Sequence, residues 1–123
     1  MAYNKRQTLI ANTEAIRTLF RIEKEHRLPT TAEREILSRY NGFGGLKCVL
    51  NPTDTLADLN RWTESEKELF PLVAELKETI RQNTVNSQEF NLFWNSIKQS
   101  VLTSFYTDKR ITDAIADVLD NAG

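Results

Sequence analysis

Phe90, Phe93, Trp94, Ile97, Val101 and Phe105 follow one another at steps of three, one, three, four and four. That spacing gathers six large apolar side chains on one stripe of an α-helix, whereas a strand would scatter them over both faces. It predicts a helix over 87–104, started by Ser87 or by Asn86 with Glu89. A helix with so broad an aromatic stripe has to be covered, so the rest of the chain must supply matching faces. The stripe is therefore assigned to a core and not to a ligand platform.

The matching faces are present. Leu9, Thr13, Ile16, Phe20 and Glu23 fall on one side of a helix over 4–27, with Leu19 widening it. Arg17, Arg21 and Lys24 line an adjoining edge. Pro29 is expected to end this helix, because the residue before a proline avoids helical angles. Thr30 with Glu33 makes a capping box for a second helix whose inner face is Ile36, Leu37 and Tyr40, stopped by Asn41-Gly42. Asp54 or Thr55 starts a short helix carrying Leu56, Leu59 and Trp62. Thr63 with Glu66 caps another over 64–69, and Pro71 forces a fresh start. That next helix carries Leu72, Val73, Leu76 and Ile80 and ends near Asn83, where "QNTVNS" supplies loop chemistry. A last helix over 108–121 shows Ile111, Ile115, Val118 and Leu119 on one side.

Three of the four glycines, Gly42, Gly44 and Gly45, stand in "NGFGGLKCVLNPTD". The segment follows a helix and matches neither of the glycine patterns that cradle phosphates. It is read as a tight loop whose Phe43 and Leu46 fold back onto the core, with room for a short extended piece over 46–50. The fold class is all-α: an irregular bundle of about five to six helices with a glycine-rich loop at 41–54. A chain of 123 residues buries roughly two thirds of its unfolded surface and needs no disulfide or metal to fold. No apolar run approaches bilayer length, and the polar, charged N-terminus does not resemble a secretory signal, so no membrane partner is expected. The single cysteine, Cys48, fits a reducing cytoplasm and is read as a small buried apolar residue.

Catalysis needs groups that converge. One histidine, His26 in a charged stretch, and one cysteine make neither a nucleophilic pair nor a metal cluster. Glu64, Glu66 and Glu68 sit in a first helical turn, where the backbone dipole favours negative charge. The residues point to a non-enzymatic domain with no metal. Charge is uneven: residues 1–47 carry nine Lys/Arg against five Asp/Glu, and residues 48–123 carry seven against twelve. The basic front half makes Arg17, Arg21, Lys24, Arg34 and Arg39 candidate DNA contacts. A solvated helix surface accounts for the same five residues, and both readings stay open at this point.

Two segments together carry a resemblance. "YNGFGGL" at 40–46, followed by "VLTSFYTDKRITDAIADVL" at 101–119, resembles the N-terminal helical region of large bacterial DNA N6-adenine methyltransferase/helicase fusion proteins, carried on conjugative elements and phages. In that family a Y-x-G-F-G-G-L stretch leads to a phrase like L-x-A-F-Y-T-P-x-x-I just ahead of the methyltransferase sheet. The resemblance implies AdoMet as the parent protein's cofactor, with Phe105, Tyr106 and Thr107 at its pocket. A threonine hydroxyl and free amides at a helix start suit a carboxylate. This chain departs at Asp108, where the family carries proline. The glycine-rich strand–turn that grips AdoMet and the (D/N)-P-P-(Y/F) tetrapeptide are not in it, so the chain as given is expected to hold no cofactor and not to methylate. The implied organisation is a helical N-terminal domain over 1–105 and, over 106–123, a lead-in helix resembling the start of a methyltransferase domain that partners it in cis. The alternative is a stand-alone helical protein–protein interaction module.

Overall fold

A computed structural model describes residues 4–102 and 109–122, and every regular element among them is helical. The five α-helices are α1 (Lys5–Glu25), α2 (Thr31–Ser38), α3 (Phe70–Gln82), α4 (Ser87–Leu102) and α5 (Lys109–Ala122). Three 3-10 turns, Lys47–Leu50, Leu56–Arg61 and Lys67–Leu69, fill the long connection between α2 and α3. The all-α bundle with a glycine-rich loop is thus the observed architecture. No described helix is long and apolar enough to cross a membrane.

The middle of the bundle is α1. It starts at Asn4, whose side chain accepts a hydrogen bond from the Gln7 amide at 3.0 Å. Leu9, Ala15, Ile16, Leu19 and Ile22 are buried, a spread wide enough to be covered from more than one side. It packs against α2 and α3 and also touches α5. The helix ends earlier than Pro29 requires. His26, exposed and with φ of 50°, takes the left-handed conformation and returns its amide to the Glu23 carbonyl at 3.4 Å. The chain has already left the helix before the proline can act.

Thr30 and Glu33 form the expected capping box, with reciprocal bonds of 2.9 and 3.1 Å. Arg27 adds a two-pronged bond to the same carboxylate, at 2.6 and 2.8 Å. Its guanidinium holds the buried Glu33 carboxyl down at a pKa of about 2. One acid therefore joins the turn after α1 to the start of α2. That helix ends at Ser38, with Arg39 as its cap, three residues before Gly42.

The connection to α3 differs from the sequence expectation in its details. Residues 46–50 are not extended. Leu46, Cys48 and Val49 are all buried, and the 3-10 turn Lys47–Leu50 brings Leu46 and Val49, three apart, to one side. The short helices expected after Thr55 and Thr63 are also 3-10 turns. Leu56, Leu59 and Trp62 recur at three, the 3-10 period, and only Trp62 is buried. Pro71 opens α3, which ends at Asn83, and the Asn86 side chain accepts from the Glu89 amide at 2.8 Å to start α4.

The aromatic stripe of α4 is core, as its spacing demands: Phe90, Phe93, Trp94 and Ile97 are buried. Phe93 meets Phe20 of α1 with ring centroids 5.5 Å apart. Ile111 and Ile115 of α5 are buried in the same cluster as Leu9 and Ile16, with Val118 and Leu119 half-buried against it. On both sides of residues 105–106, apolar side chains thus share one core. The junction itself lies outside the described residues.

Candidate functional site

The glycine-rich segment is built into the fold by a polar residue on the buried side of α1. Asn12 is fully buried, three positions after Leu9 and four before Ile16. Its amide nitrogen donates to the Gly42 carbonyl at 2.6 Å, and its side-chain oxygen accepts from the Asn41 amide at 2.9 Å. Both backbone groups of the turn are therefore satisfied from inside the protein. Gly42 and Gly45 take φ of 79° and 81°, a region that costs other residues strain. Phe43 and Leu46 point into the core, and Tyr40 meets Phe43 edge-on at 6.1 Å. Asn12 escaped the sequence reading, although a polar residue inside an apolar helical stripe is itself a sign of a buried backbone partner.

The five candidate DNA contacts do not gather on one bare surface. Arg17 bridges to α3, with its guanidinium 2.8 Å from Glu75 and 3.2 Å from the Thr79 hydroxyl, and it also meets Glu14 at 3.3 Å. Arg21 lies 3.9 Å from Glu33. Arg39 pairs with Glu35 one turn back at 2.6 Å. Lys24 and Arg34 are exposed, and among the described residues neither is paired with an acid.

A cavity of about 590 Å3 opens beside α3 and the start of α4. Lys77 and Arg81, one turn apart on α3, stand at its wall with Asp54 facing them. The Lys77 ammonium is 2.7 Å from the Asp54 carboxylate and 5.8 Å from the centre of the Trp94 ring. Arg81 lies over Phe90 at 4.9 Å. Phe90 and Trp94 are themselves one turn apart and stacked, with centroids 6.2 Å apart and planes 9° from parallel. Lysine or arginine facing aromatics at a shared step of four, across two neighbouring helices, is the signal that marks this place in the sequence.

Cys48 is fully buried, and burial pushes its thiol up to about 11, so it stays protonated at neutral pH. Among the described residues, no group of three or more His, Cys, Asp or Glu is placed to hold a metal ion. Phe105, Tyr106 and Thr107, which the resemblance assigns to a cofactor pocket, lie outside the described residues, as does Asp108. Comparison with known proteins adds no relative: no family model, no curated protein and no solved structure matches this chain.

Proposed function

We propose that this chain is a non-catalytic N-terminal domain of a DNA adenine methyltransferase/helicase, packing beside the catalytic domain and helping to hold DNA. The observation that supports this reading is the fate of residues 40–46, the stretch that carries the resemblance. Phe43 and Leu46 are in the core, and Asn12 occupies the polar groups of the turn at Asn41 and Gly42. A motif engaged inward in this way builds a scaffold and offers little to a substrate. Holding DNA falls first to Lys24 and Arg34, the two candidates without a carboxylate partner among the described residues, on the front half where cations outnumber acids nine to five.

Titrating labelled duplex at two salt concentrations tests the DNA role. Affinity carried by cations falls steeply with salt, and replacing Lys24 and Arg34 together by glutamine lowers the slope of log affinity against log salt by about 2. Undetectable or salt-independent binding removes the role. The coding sequence after Gly123 tests the methyltransferase partner: a glycine-rich strand–turn and an Asn-Pro-Pro-Tyr-like tetrapeptide there support it. A stand-alone interaction module is the second reading, favoured by Leu92 and Leu102, both strongly exposed on α4. It gains if a stop codon follows Gly123 and the domain is stable alone.

A further inference from the structure

We propose that the cavity beside α3 and α4 binds a phosphate monoester, which Lys77 and Arg81 take in place of the Asp54 carboxylate. The two cations are aimed by a double register. Lys77 and Arg81 are four apart on α3, Phe90 and Trp94 four apart on α4, and each cation lies over one ring. The rings fix the direction of both side chains before any ligand arrives, which lowers the cost of ordering them on binding. The Lys77 side chain is only 15% exposed, so its stem is held against the protein while its ammonium stands at the cavity wall.

The anion now present is a weak occupant. The Asp54 side chain is 67% exposed, and a pair with one arm in water contributes little. Its backbone is anchored separately, since the amides of Asp54 and Thr55 both donate to Asp58 Oδ2 at 2.9 and 3.0 Å. The carboxylate can therefore swing out while the chain stays in place. Arg81 lines the same cavity wall as Asp54, one turn along α3 from Lys77. Lys77 is paired with Asp54 and Arg81 with Glu78, both carboxylates more than half exposed, so a dianion that reaches the two cations together competes with two weak surface pairs, and a phosphate monoester is mostly dianionic at neutral pH. Ser87 and Asn91 line the same cavity and add neutral hydrogen-bonding groups. Glu78 holds Arg81 at 3.0 Å without lining the cavity. The volume, about 590 Å3, leaves room for a small molecule. None of this rests on the proposed methyltransferase association, so either can fail alone.

A phosphate monoester comes from a free nucleotide or from the 5′ end of a nucleic acid strand. Calorimetric titration of the whole chain with inorganic phosphate, adenosine monophosphate, and a hexanucleotide with and without a 5′-phosphate separates them. Binding of the mononucleotide with no preference between the two strands assigns the free nucleotide. A preference for the phosphorylated strand assigns the nucleic acid end. Asp54→Asn is expected to tighten phosphate binding about fivefold, and Lys77→Gln and Arg81→Gln to weaken it about tenfold. Lys5→Gln, at the start of α1 and outside the cavity lining, is expected to change nothing. Thermal melts show that each variant is folded; should Lys77→Gln not fold, Arg81→Gln and Asp54→Asn decide. No phosphate binding by either the wild type or Asp54→Asn overturns the proposal, as does binding that Arg81→Gln leaves intact.

Discussion

Two connections of this bundle solve the same problem in opposite ways. Residues 40–46 and 51–69 are both irregular backbone lying against helices, where polar groups risk losing water without gaining partners. The first is satisfied from within: Asn12 bonds the Asn41 amide and the Gly42 carbonyl, and Phe43 and Leu46 anchor the loop in the core. The second is held mostly from outside. Trp62 and Leu69 are its buried anchors, Trp62 packed edge-on against Phe70 at 5.3 Å with its indole N–H donating to the Pro52 carbonyl at 2.9 Å. Beyond that it depends on short local turns and on the Asp54–Lys77 pair at the surface. It also leaves two covered oxygens, Thr53 Oγ1 and Glu66 Oε2, without a partner among the described residues. A buried polar residue thus locks one connector, while the other keeps slack that a ligand or a partner can use.

The contrast breaks most visibly at Asn12. Replacing it with leucine keeps the branched shape, with bulkier methyl groups, but strands two backbone groups, and is expected to cost about 3 kcal/mol in urea unfolding. A loss well under 1 kcal/mol would mean that the turn finds other partners, and the claimed difference between the connectors would go. Gly45→Ala probes the same loop through its backbone. No atom lies within 4 Å of the added Cβ, so the whole cost is the φ of 81°, about 1 to 2 kcal/mol. Gly44→Ala, at an ordinary φ and equally open, is the control and is expected to change stability little or raise it slightly.

In the other connector the sign reverses. Thr53→Val removes a covered hydroxyl oxygen that has no partner, so it is expected to stabilise the protein by about 1 kcal/mol. Destabilisation by that amount would show that the hydroxyl is satisfied and that the slack in residues 51–69 is smaller than the structure indicates.

How well each region could be foreseen follows the same division. The helices were legible because apolar spacing and caps act locally: Thr30 with Glu33 marks the start of α2, and Phe90 to Ile97 mark the buried face of α4. Phe43 and Leu46 were legible as inward-pointing because a loop with two large apolar residues has few other places to put them. The end of α1 was not, since a left-handed histidine leaves no compositional trace and Pro29 offers a plausible stop. Nor was the fate of the basic edge. Arg17 looks like a free surface cation until α3 brings Glu75 and Thr79 against it from about sixty residues away. The cavity required two helices in register, which no single stretch of chain displays. Even so, the step of three at Leu56, Leu59 and Trp62 was a 3-10 signal in plain view.

The smallest expected effect is also the sharpest test of how the second connector is held. Lys77 lowers the pKa of Asp54, so the folded state holds this proton less tightly than the unfolded chain does. The pair therefore contributes stability above the ordinary aspartate value of 3.8 and loses it as pH falls below. With Asp54 largely in water, that contribution is about 0.5 kcal/mol or less. Asp54→Asn should then melt almost like the wild type at pH 7, and the two curves should merge in acid. Glu33, with its carboxyl near 2, governs the larger acid loss in both proteins as pH drops below its ordinary value of 4.5. A drop of 2 kcal/mol at pH 7 in Asp54→Asn would show that the carboxylate fastens the connector, and a fastening carboxylate is not one that a passing phosphate displaces.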